Sequence, residues 1–514
     1  MRFETKEKLT EEEIQSGLRN VIKDGLTSQA MVTLTGGVFL VAFALKLGAS
    51  NLVIGLLAAI PPLAHLIQVP TIYLVEKLKR RRAITVFASA LSRIFWLLIA
   101  LIPFLFRSEK GLFFLIVAIL FNSVFASMGN CSWNSWMRDL VPQKRLGMFF
   151  SKRMSLATGL GISLGLLAGF YIDSSKNLFP NNEIYGYSVL FFLGFIAGML
   201  GVYFISTIPE PRMAAAKRKL DFLELIMHPL KNTNFKNLIV FMGSWNFAVN
   251  LAAPFFTVYM LKRLQLGMSL IIALTVLSQI ASLLFFRIWG RFSDRFSNKS
   301  VLGVCGPLFM VCILLWTFTT MPEKYVLTIP LLVAIHIFTG ISAAGVTLAS
   351  GNIGLKLAPK GEATAYLAAN SFINSIAAGA APILGGKLAD FFSGRELSIT
   401  LKWISPGSEL AVPTLNLRQW DFFFFLAFFI GLYSIHRLAM VKEEGEVKEK
   451  IIIREFLSEV RGPIRNFSSI HGLRLMVQFP FTVLKHSRIF VRRNSIHEKG
   501  KKDSNCRMNK SPEC

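Results

Sequence analysis

"GRFSDRFSNKS", Gly290 to Ser300, sets an aspartate, two arginines and a lysine between two apolar runs. "YLVEKLKRRRA", Tyr73 to Ala83, interrupts a similar pair of runs with a similar set of charges. Reading outward from both breaks, apolar runs of roughly 20 residues recur along most of the chain, the length that crosses a bilayer as a helix. The whole chain has 514 residues, 53% hydrophobic and 17% charged, with mean hydropathy +0.52. A soluble domain is nearer a quarter charged. Runs such as "LGFIAGMLGVYFI" have no period-two alternation, which excludes a closed β-barrel. The sequence is that of an all-α polytopic membrane protein.

The formal charge is +26, but its placement argues against nucleic acid as a partner. Bases gather in alternate loops: Lys77 to Arg82, Arg138 to Arg153, Arg212 to Lys219, and Arg287 to Lys299. The loops between, such as "GASN" at Gly48 and "MPEK" at Met321, carry few. This is the positive-inside pattern, and it assigns the basic loops to the cytoplasm. Cys131, Cys305 and Cys312 lie in apolar runs, as small buried hydrophobes do. The N-terminus, "MRFETKEKLTEEEIQSGLRN", has no secretory leader pattern.

Spans are expected at about 25–48, 51–75, 83–106, 112–137, 154–173 and 186–207, then 237–261, 267–289, 300–320, 327–352, 364–390 and 421–440. A charged connector, 208–236, separates the two sixes. The expected organisation is a cytoplasmic N-terminal segment (1–24), two six-helix bundles (25–207 and 237–440) and a basic cytoplasmic tail (441–514). Twelve spans leave both termini on the basic side. In the tail, "GLRLMVQFPFTVLKHSRIFVRR" interleaves apolar residues with Arg474, Lys485, Arg488, Arg492 and Arg493, a composition suited to a helix lying on anionic lipid. "EKGKKDSNCRMNKSPEC" reads as disordered.

The two charged breaks correspond. Glu76, Lys77, Arg81 and Arg82 match Asp294, Arg295 and Lys299, with the acids 218 apart (294 − 76). "NSWMRDLVPQKRLGMFF" from Asn134 matches "NIGLKLAPKGEATAYL" from Asn352, with Pro142 and Pro359 217 apart (359 − 142). Unrelated segments at nearly one offset imply a duplication of six spans, a transporter architecture with its substrate near the midplane.

Over about 25–440 the sequence resembles the major facilitator superfamily. The family's hallmark runs Gly, three residues, Asp, a base, any residue, Gly, any residue, then bases. Gly290, Asp294, Arg295 and Lys299 fit it, with Ser297 in place of the second glycine. The first half keeps Glu76, Lys77, Arg81 and Arg82 but has Ile72 and Lys79 at the glycine positions. The resemblance implies two pseudo-symmetric bundles and a gating role for these charges, whose contacts between helix ends form in one state and break in another.

It also implies that spans one, four, seven and ten line the cavity. Span one offers Gln29 and Thr33, then the small-residue stretch "TGG" at Thr35. Span four offers Asn122, Asn130 and Asn134; span seven Trp245, Asn246 and Asn250, ahead of Pro254; span ten His336. Flanking spans add Gln279, Asn370 and Asn374. Polar groups inside a span are costly, so each is a candidate for solute contact or for holding helices together. Arg93 sits about ten residues into span three, roughly 15 Å along a helix, and must pair there. Asp24 is expected at the cytoplasmic edge of span one, with Asp173, Asp390 and Asp421 near outer ends. No carboxylate is expected in the middle of a span, which argues against proton coupling and for a neutral or zwitterionic solute.

No phosphate loop, nucleophile motif or metal-ligand spacing is present, so neither an enzyme nor a metal or other cofactor is expected. The expected function is secondary-type transport of a small solute by alternating access, by a monomer in the cell (plasma or inner) membrane. A transporter-like lipid flippase or a regulatory membrane protein is the alternative.

Overall fold

The computed structural model describes residues 5–7, 9–106, 108–142, 146–178, 182–213, 227–320, 327–358, 363–406, 408–447 and 449–457. Twelve helices are long and apolar enough to cross a membrane. The first half holds spans 1 to 6: Glu11–Lys46, Asn51–Leu78, Arg81–Leu105, Glu109–Leu140, Lys152–Asn177 and Ile184–Ser206. The second holds spans 7 to 12: Thr233–Lys262, Met268–Arg295, Asn298–Thr320, Thr328–Leu357, Tyr366–Phe391 and Trp420–Ala439. Residues to Glu446 form one compact unit and Val447–Cys514 another. Of the latter, 449–457 are helical, and the basic segment around Arg474 to Arg493 lies outside the described residues, as does 214–226 of the connector.

Span 1 begins well before its apolar run. Thr10 and Glu13 close a capping box around the first turn, and Glu11, Glu12 and Glu13 favour the positive end of the helix dipole. The helix therefore starts at Glu11, not near 25, and Asp24 lies inside it.

Between spans 11 and 12 the sequence turns into something not foreseen. Glu396–Ser405 and Ser408–Arg418 pair antiparallel as a long hairpin. Its base is fixed by Arg418 on Glu396 (2.8 Å) and by Arg263 on Asp421 (3.2 Å). Alternating Leu397, Ile399, Leu401 and Trp403 gave the period-two signal, which the neighbouring apolar helices obscured. We call this end of the molecule the hairpin rim and the opposite end, with the charged breaks, the basic rim.

Spans 2 and 11 pack along each other, as do spans 5 and 8, joining the two halves. On one side a Cβ placed on Gly55 would fall 2.1 Å from the Pro382 carbonyl oxygen, and one on Gly386 would fall 2.7 Å from Leu52 Cα. On the other, Gly165 faces Ile272 at 3.7 Å and Gly169 faces Ser269 Cα at 3.3 Å. Adding 217 to one member of each contact gives the other contact: Gly55 becomes Ile272, Gly165 becomes Pro382, Leu52 becomes Ser269 and Gly169 becomes Gly386. The seam is thus two copies of one contact.

Two carboxylates close it at the hairpin rim. Asp173 of span 5 accepts the backbone N–H groups of Met268 (3.0 Å) and Ser269 (2.8 Å), which open span 8. Asp390 of span 11 accepts those of Asn51 (3.2 Å) and Leu52 (2.9 Å), which open span 2, and the Asn51 amide (2.8 Å). The seam runs inward as far as Gly379 against Leu63, about 18 Å below Asn51 at 1.5 Å per residue.

Nearer the basic rim the same four helices pack on their own halves. Tyr366 of span 11 meets Phe235 with ring centroids 4.6 Å apart, and Trp289 of span 8 donates to the Ile341 carbonyl at 2.9 Å. Arg153 of span 5 donates to the Val21 carbonyl (3.2 Å), and the Gln68 carbonyl of span 2 takes the Cys131 thiol (3.7 Å). Among the described residues, the contacts that join the halves gather toward the hairpin rim.

Candidate functional site

Below the seam, span 1 loses regular helix near mid-depth, and span 7, helical throughout, carries a proline at the matching position. Span 1 breaks at Gly36 and Gly37, the latter at φ 54°, a conformation glycine adopts without strain. That break lies ten residues before Lys46, about 15 Å deep in a core of about 30 Å. In span 7 the corresponding position, 217 residues after Gly37, is Pro254. Proline there has no N–H for the Asn250 carbonyl. Interrupted helices at mid-depth are where transporters of this architecture expose backbone groups to a solute.

Each of these two positions is preceded by two polar residues one turn apart. Gln29 and Thr33 lie on span 1, and their partners at the same offset are Asn246 and Asn250 on span 7. Gln29 donates its amide to the Thr33 hydroxyl (3.2 Å) and lies against Gly161 of span 5. Asn246 donates to the Met242 carbonyl (2.9 Å) and Asn250 to the Asn246 carbonyl (2.8 Å). All three amide nitrogens are therefore engaged within their own helices. Each amide keeps its oxygen as an acceptor and one further N–H as a donor for the polar groups of a solute. Leu251 and Phe255 meet Gly385 of span 11 and Trp245 meets span 9, so Asn246 and Asn250 occupy the arc between, at about 100° per residue.

Other candidates separate cleanly. Asn130 and Asn134 of span 4 are exposed, one turn apart, with the Asn134 amide 3.4 Å from Asn130 Oδ1. They lie between the face toward span 2, marked by Cys131, and the face toward span 5, where Trp133 carries Arg153 at 5.1 Å. Gln279 is exposed two turns from Ile272 on the same face of span 8, where the seam has ended. These residues present exposed side chains.

The remaining candidates do not. Asn122 turns to span 3 and donates to the Ser92 carbonyl (2.8 Å) and hydroxyl (3.1 Å). Trp245 is buried against Gly306 and Phe309 of span 9, because its ring fills the gap a glycine leaves. His336 is buried edge-on to Trp316, with Nδ1 2.8 Å from the Leu332 carbonyl. Asn370 and Asn374 face their own half, near Gly354 and the level of Gly243, and each leaves a buried Oδ1 without a hydrogen-bond partner; Asn374 is a turn from Asn370 on the same face. Of the two, Asn370 is placed by its amide, 4.0 Å from the Gly354 Cβ position.

Arg93 finds its partner in Asp24. The carboxylate, 3% exposed, is 3.8 Å from Arg93 and 3.5 Å from Arg153, and accepts from the Ser28 hydroxyl at 3.1 Å. Gly25, Gly198 and Gly201 make room for the two guanidinium groups. Asp24 is enclosed by the first half, with Arg93 and Arg153 beside it. The triad is an interior cross-brace between spans 1, 3 and 5.

At the basic rim the hallmark residues belong mostly to helix ends, not loops. Glu76 and Lys77 lie in the last turns of span 2, and Gly290, Asp294 and Arg295 in those of span 8. The helices end at Leu78 and Arg295, 217 apart (295 − 78), so Asp294 corresponds to Lys77 and Glu76 is one residue out of register. Lys79, at a glycine position of the hallmark, adopts φ 51°, about 1–2 kcal/mol unfavourable for a residue with a Cβ. Ser297 is extended and caps span 9 through Ser300 N–H, so no glycine is required there.

The bases of the hallmark work within their halves. Arg81 is fully buried, bonded to Asp139, to the Ser135 carbonyl (3.0 Å) and to the Pro211 carbonyl (2.8 Å). Glu210 accepts the backbone N–H groups of Arg81 (2.6 Å) and Arg82 (3.1 Å). In the second half, Glu443 accepts from the Asn298 amide (2.9 Å) and Lys299 N–H (2.7 Å), and Lys299 pairs with Glu446 at 2.7 Å. Glu76 and Asp294 make no hydrogen bond or ion pair among the described residues, and Asp294 is exposed. The residues that reasoning from sequence passed over were Asp173 and Asp390. Their separation, again 217 (390 − 173), was a legible signal.

The sequence matches the family described as Major Facilitator Superfamily over residues 25–382 and again over 238–490. Among solved structures it is similar to the nucleoside transporter NupG (TM-score 0.60, 12% identity, 84% of this chain and 100% of that one). It is also similar to a bacterial homologue of the iron transporter ferroportin in an inward-facing state (0.57, 11%, 85% and 100%). A third is a bacterial homologue of the human lysosomal transporter Spinster, inward-facing and unoccupied (0.53, 14%, 75% and 84%). Comparison with curated protein sequences gives no match.

Proposed function

The chain belongs to the major facilitator superfamily, a family of membrane transporters, and from that premise we propose that it carries a small polar solute by alternating access. The observation that carries the reading is the duplicated arrangement of Gln29 and Thr33 with Asn246 and Asn250, the first pair before the helix break at Gly36 and the second before Pro254, both below a seam closed on one side. These amides and the Thr33 hydroxyl are uncharged and offer acceptors and donors, so the solute is a hydroxylated or amino-bearing molecule, neutral or zwitterionic. Asn130, Asn134 and Gln279 are its path toward the basic rim. The structural neighbours named for nucleosides and for iron share this fold, so substrate choice belongs to these side chains and not to the architecture.

By the positive-inside rule the basic rim faces the cytoplasm, with both termini, and the chain lies in the cell membrane. The state described is then inward-open. All the candidate residues belong to one chain, and the monomer is the proposed functional unit.

The test is uptake by proteoliposomes of labelled nucleosides, sugars and amino acids, with dicarboxylates as the opposing class. Uptake of at least one donor-rich neutral solute is expected. Asn246→Leu, which keeps bulk and removes the acceptor, should weaken that uptake about fivefold, the effect of losing one hydrogen bond of about 1 kcal/mol. Preference for dicarboxylates, or uptake indifferent to Asn246→Leu, would overturn the assignment.

A further inference from the structure

We propose that Asp173 and Asp390 are two equivalent latches that hold the hairpin rim shut, and that releasing both is the step that opens the molecule on that side. The proposal rests on the alternating-access reading and adds the residues that set its balance.

Three observations lead to it. First, the acceptor and its donors always lie on opposite halves: span 5 holds span 8, and span 11 holds span 2. These bonds cannot survive separation of the halves at the rim. Second, the two are the same device. Asp173 with Met268 and Ser269, shifted by 217, is Asp390 with Asn51 and Leu52. A contact between halves that is reproduced residue for residue by a duplication has closed the rim on both sides by one geometry. Third, neither carboxylate is sealed in. Asp173 is half-buried on the wall of a cavity of about 410 Å³ that Lys46, Lys176 and Glu183 also line, and Asp390 is exposed. An acid that water can reach is able to leave its helix without entering apolar surroundings.

The chemistry sets the strength. Each carboxylate takes two N–H groups at a helix N-terminus, where the backbone dipole favours negative charge and the hydrogen bonds are charge-assisted. The first turns of spans 2 and 8 lose those acceptors when the halves part. Below the latches the glycines keep the backbones in contact, so the seam has a polar clasp at its edge and close packing beneath.

The experiment uses the full chain with its five native cysteines replaced and Ile272→Cys as reporter. Ile272 is buried in the seam and becomes accessible only when the rim opens. Labelling with a membrane-impermeant maleimide is measured in Asp173→Asn, Asp390→Asn and the double variant. Gly386→Trp is the control, because a side chain there would meet Asn51 and Leu52 backbone atoms and must part the seam. Monodispersity in detergent verifies folding, and Gly55→Leu replaces the control should Gly386→Trp aggregate. Each single variant should raise labelling about tenfold, and the double variant should multiply the two. If the wedge opens the seam and the double Asp→Asn variant does not, the latch is overturned and alternating access stands. If neither the wedge nor the double variant exposes Ile272→Cys, both fall.

Discussion

At the hairpin rim and at the basic rim, carboxylates cap helix N-termini, and the two ends use that contact for opposite purposes. Glu210 and Glu443 reach from the end of each half back to span 3 and span 9 of the same half. Asp173 and Asp390 reach across to span 8 and span 2 of the other half. Bonds inside a half can persist while the halves rock against each other, so Glu210 and Glu443 brace. On the proposed mechanism bonds between halves must break, so Asp173 and Asp390 are the proposed gate. The charged hallmark that announced the family lies on the bracing side in this state, while its acids, Glu76 and Asp294, make no ion pair among the described residues.

The largest effect expected from this contrast is on stability. Glu210→Ala removes the cap of span 3 and leaves Arg81 buried with one fewer carboxylate, a loss of about 3–5 kcal/mol. Melting in detergent should fall steeply, while the Ile272→Cys reporter of the folded fraction stays as in the parent protein. A change in reporter labelling would make Glu210 a gate and erase the distinction between the rims.

A smaller effect, visible only in the balance of states, is expected at Asp294. The side chain has no ion-pair partner among the described residues, so Asp294→Asn leaves this state unchanged and weakens any contact it makes when the basic rim closes. Loss of a charge-assisted bond of about 1.5–3 kcal/mol would shift the population roughly tenfold toward the present state. Labelling at the basic rim should rise and that at the hairpin rim fall. Equal labelling at both rims would leave Asp294 with a topological role alone.

The smallest effect belongs to Glu446, which Lys299 holds by a hydrogen bond that lowers its carboxyl below the ordinary 4.5. A depressed acid stabilises the fold above its unfolded value, and that contribution is lost as pH falls through the folded one. Glu446 is half exposed, so the contribution is about 0.5 kcal/mol or less. The parent should lose slightly more stability than Glu446→Gln on acidification below about pH 4.5. A larger loss in the variant would reverse the assigned sign.

Much of this was legible from residue order. Apolar runs and alternating basic loops identified the helices and their count, because bilayer thickness and charge placement act on sequence directly. Span 1 was misjudged at its start because a capping box, not hydropathy, begins that helix at Glu11. The duplication was legible from Pro142 and Pro359, yet the acids chosen to support it, Glu76 and Asp294, differ by one residue from the register that the helix ends obey. Gln29, Thr33, Asn246 and Asn250 were candidates because they are polar residues on spans that the family resemblance points to, and the proposed site rests on them. Trp245, His336 and Asn122 were chosen on the same grounds and face other helices, since residue type does not report which arc of a helix is covered. The hairpin at Glu396–Arg418 was missed because strand alternation is weak beside apolar helices.

The proposed mechanism requires the two rims to open in alternation about a seam now closed at one end. Spin-label pairs spanning each rim, one pair joining spans 2 and 11 near Leu52 and Phe391 and one near Tyr73 and Tyr366, measure this directly by pulsed electron resonance. A short hairpin-rim distance with a long basic-rim distance is predicted for the parent protein, and the reverse population should grow in the Asp173→Asn, Asp390→Asn double variant. Distances at the two rims that lengthen together, or that hold one value in both proteins, would contradict it.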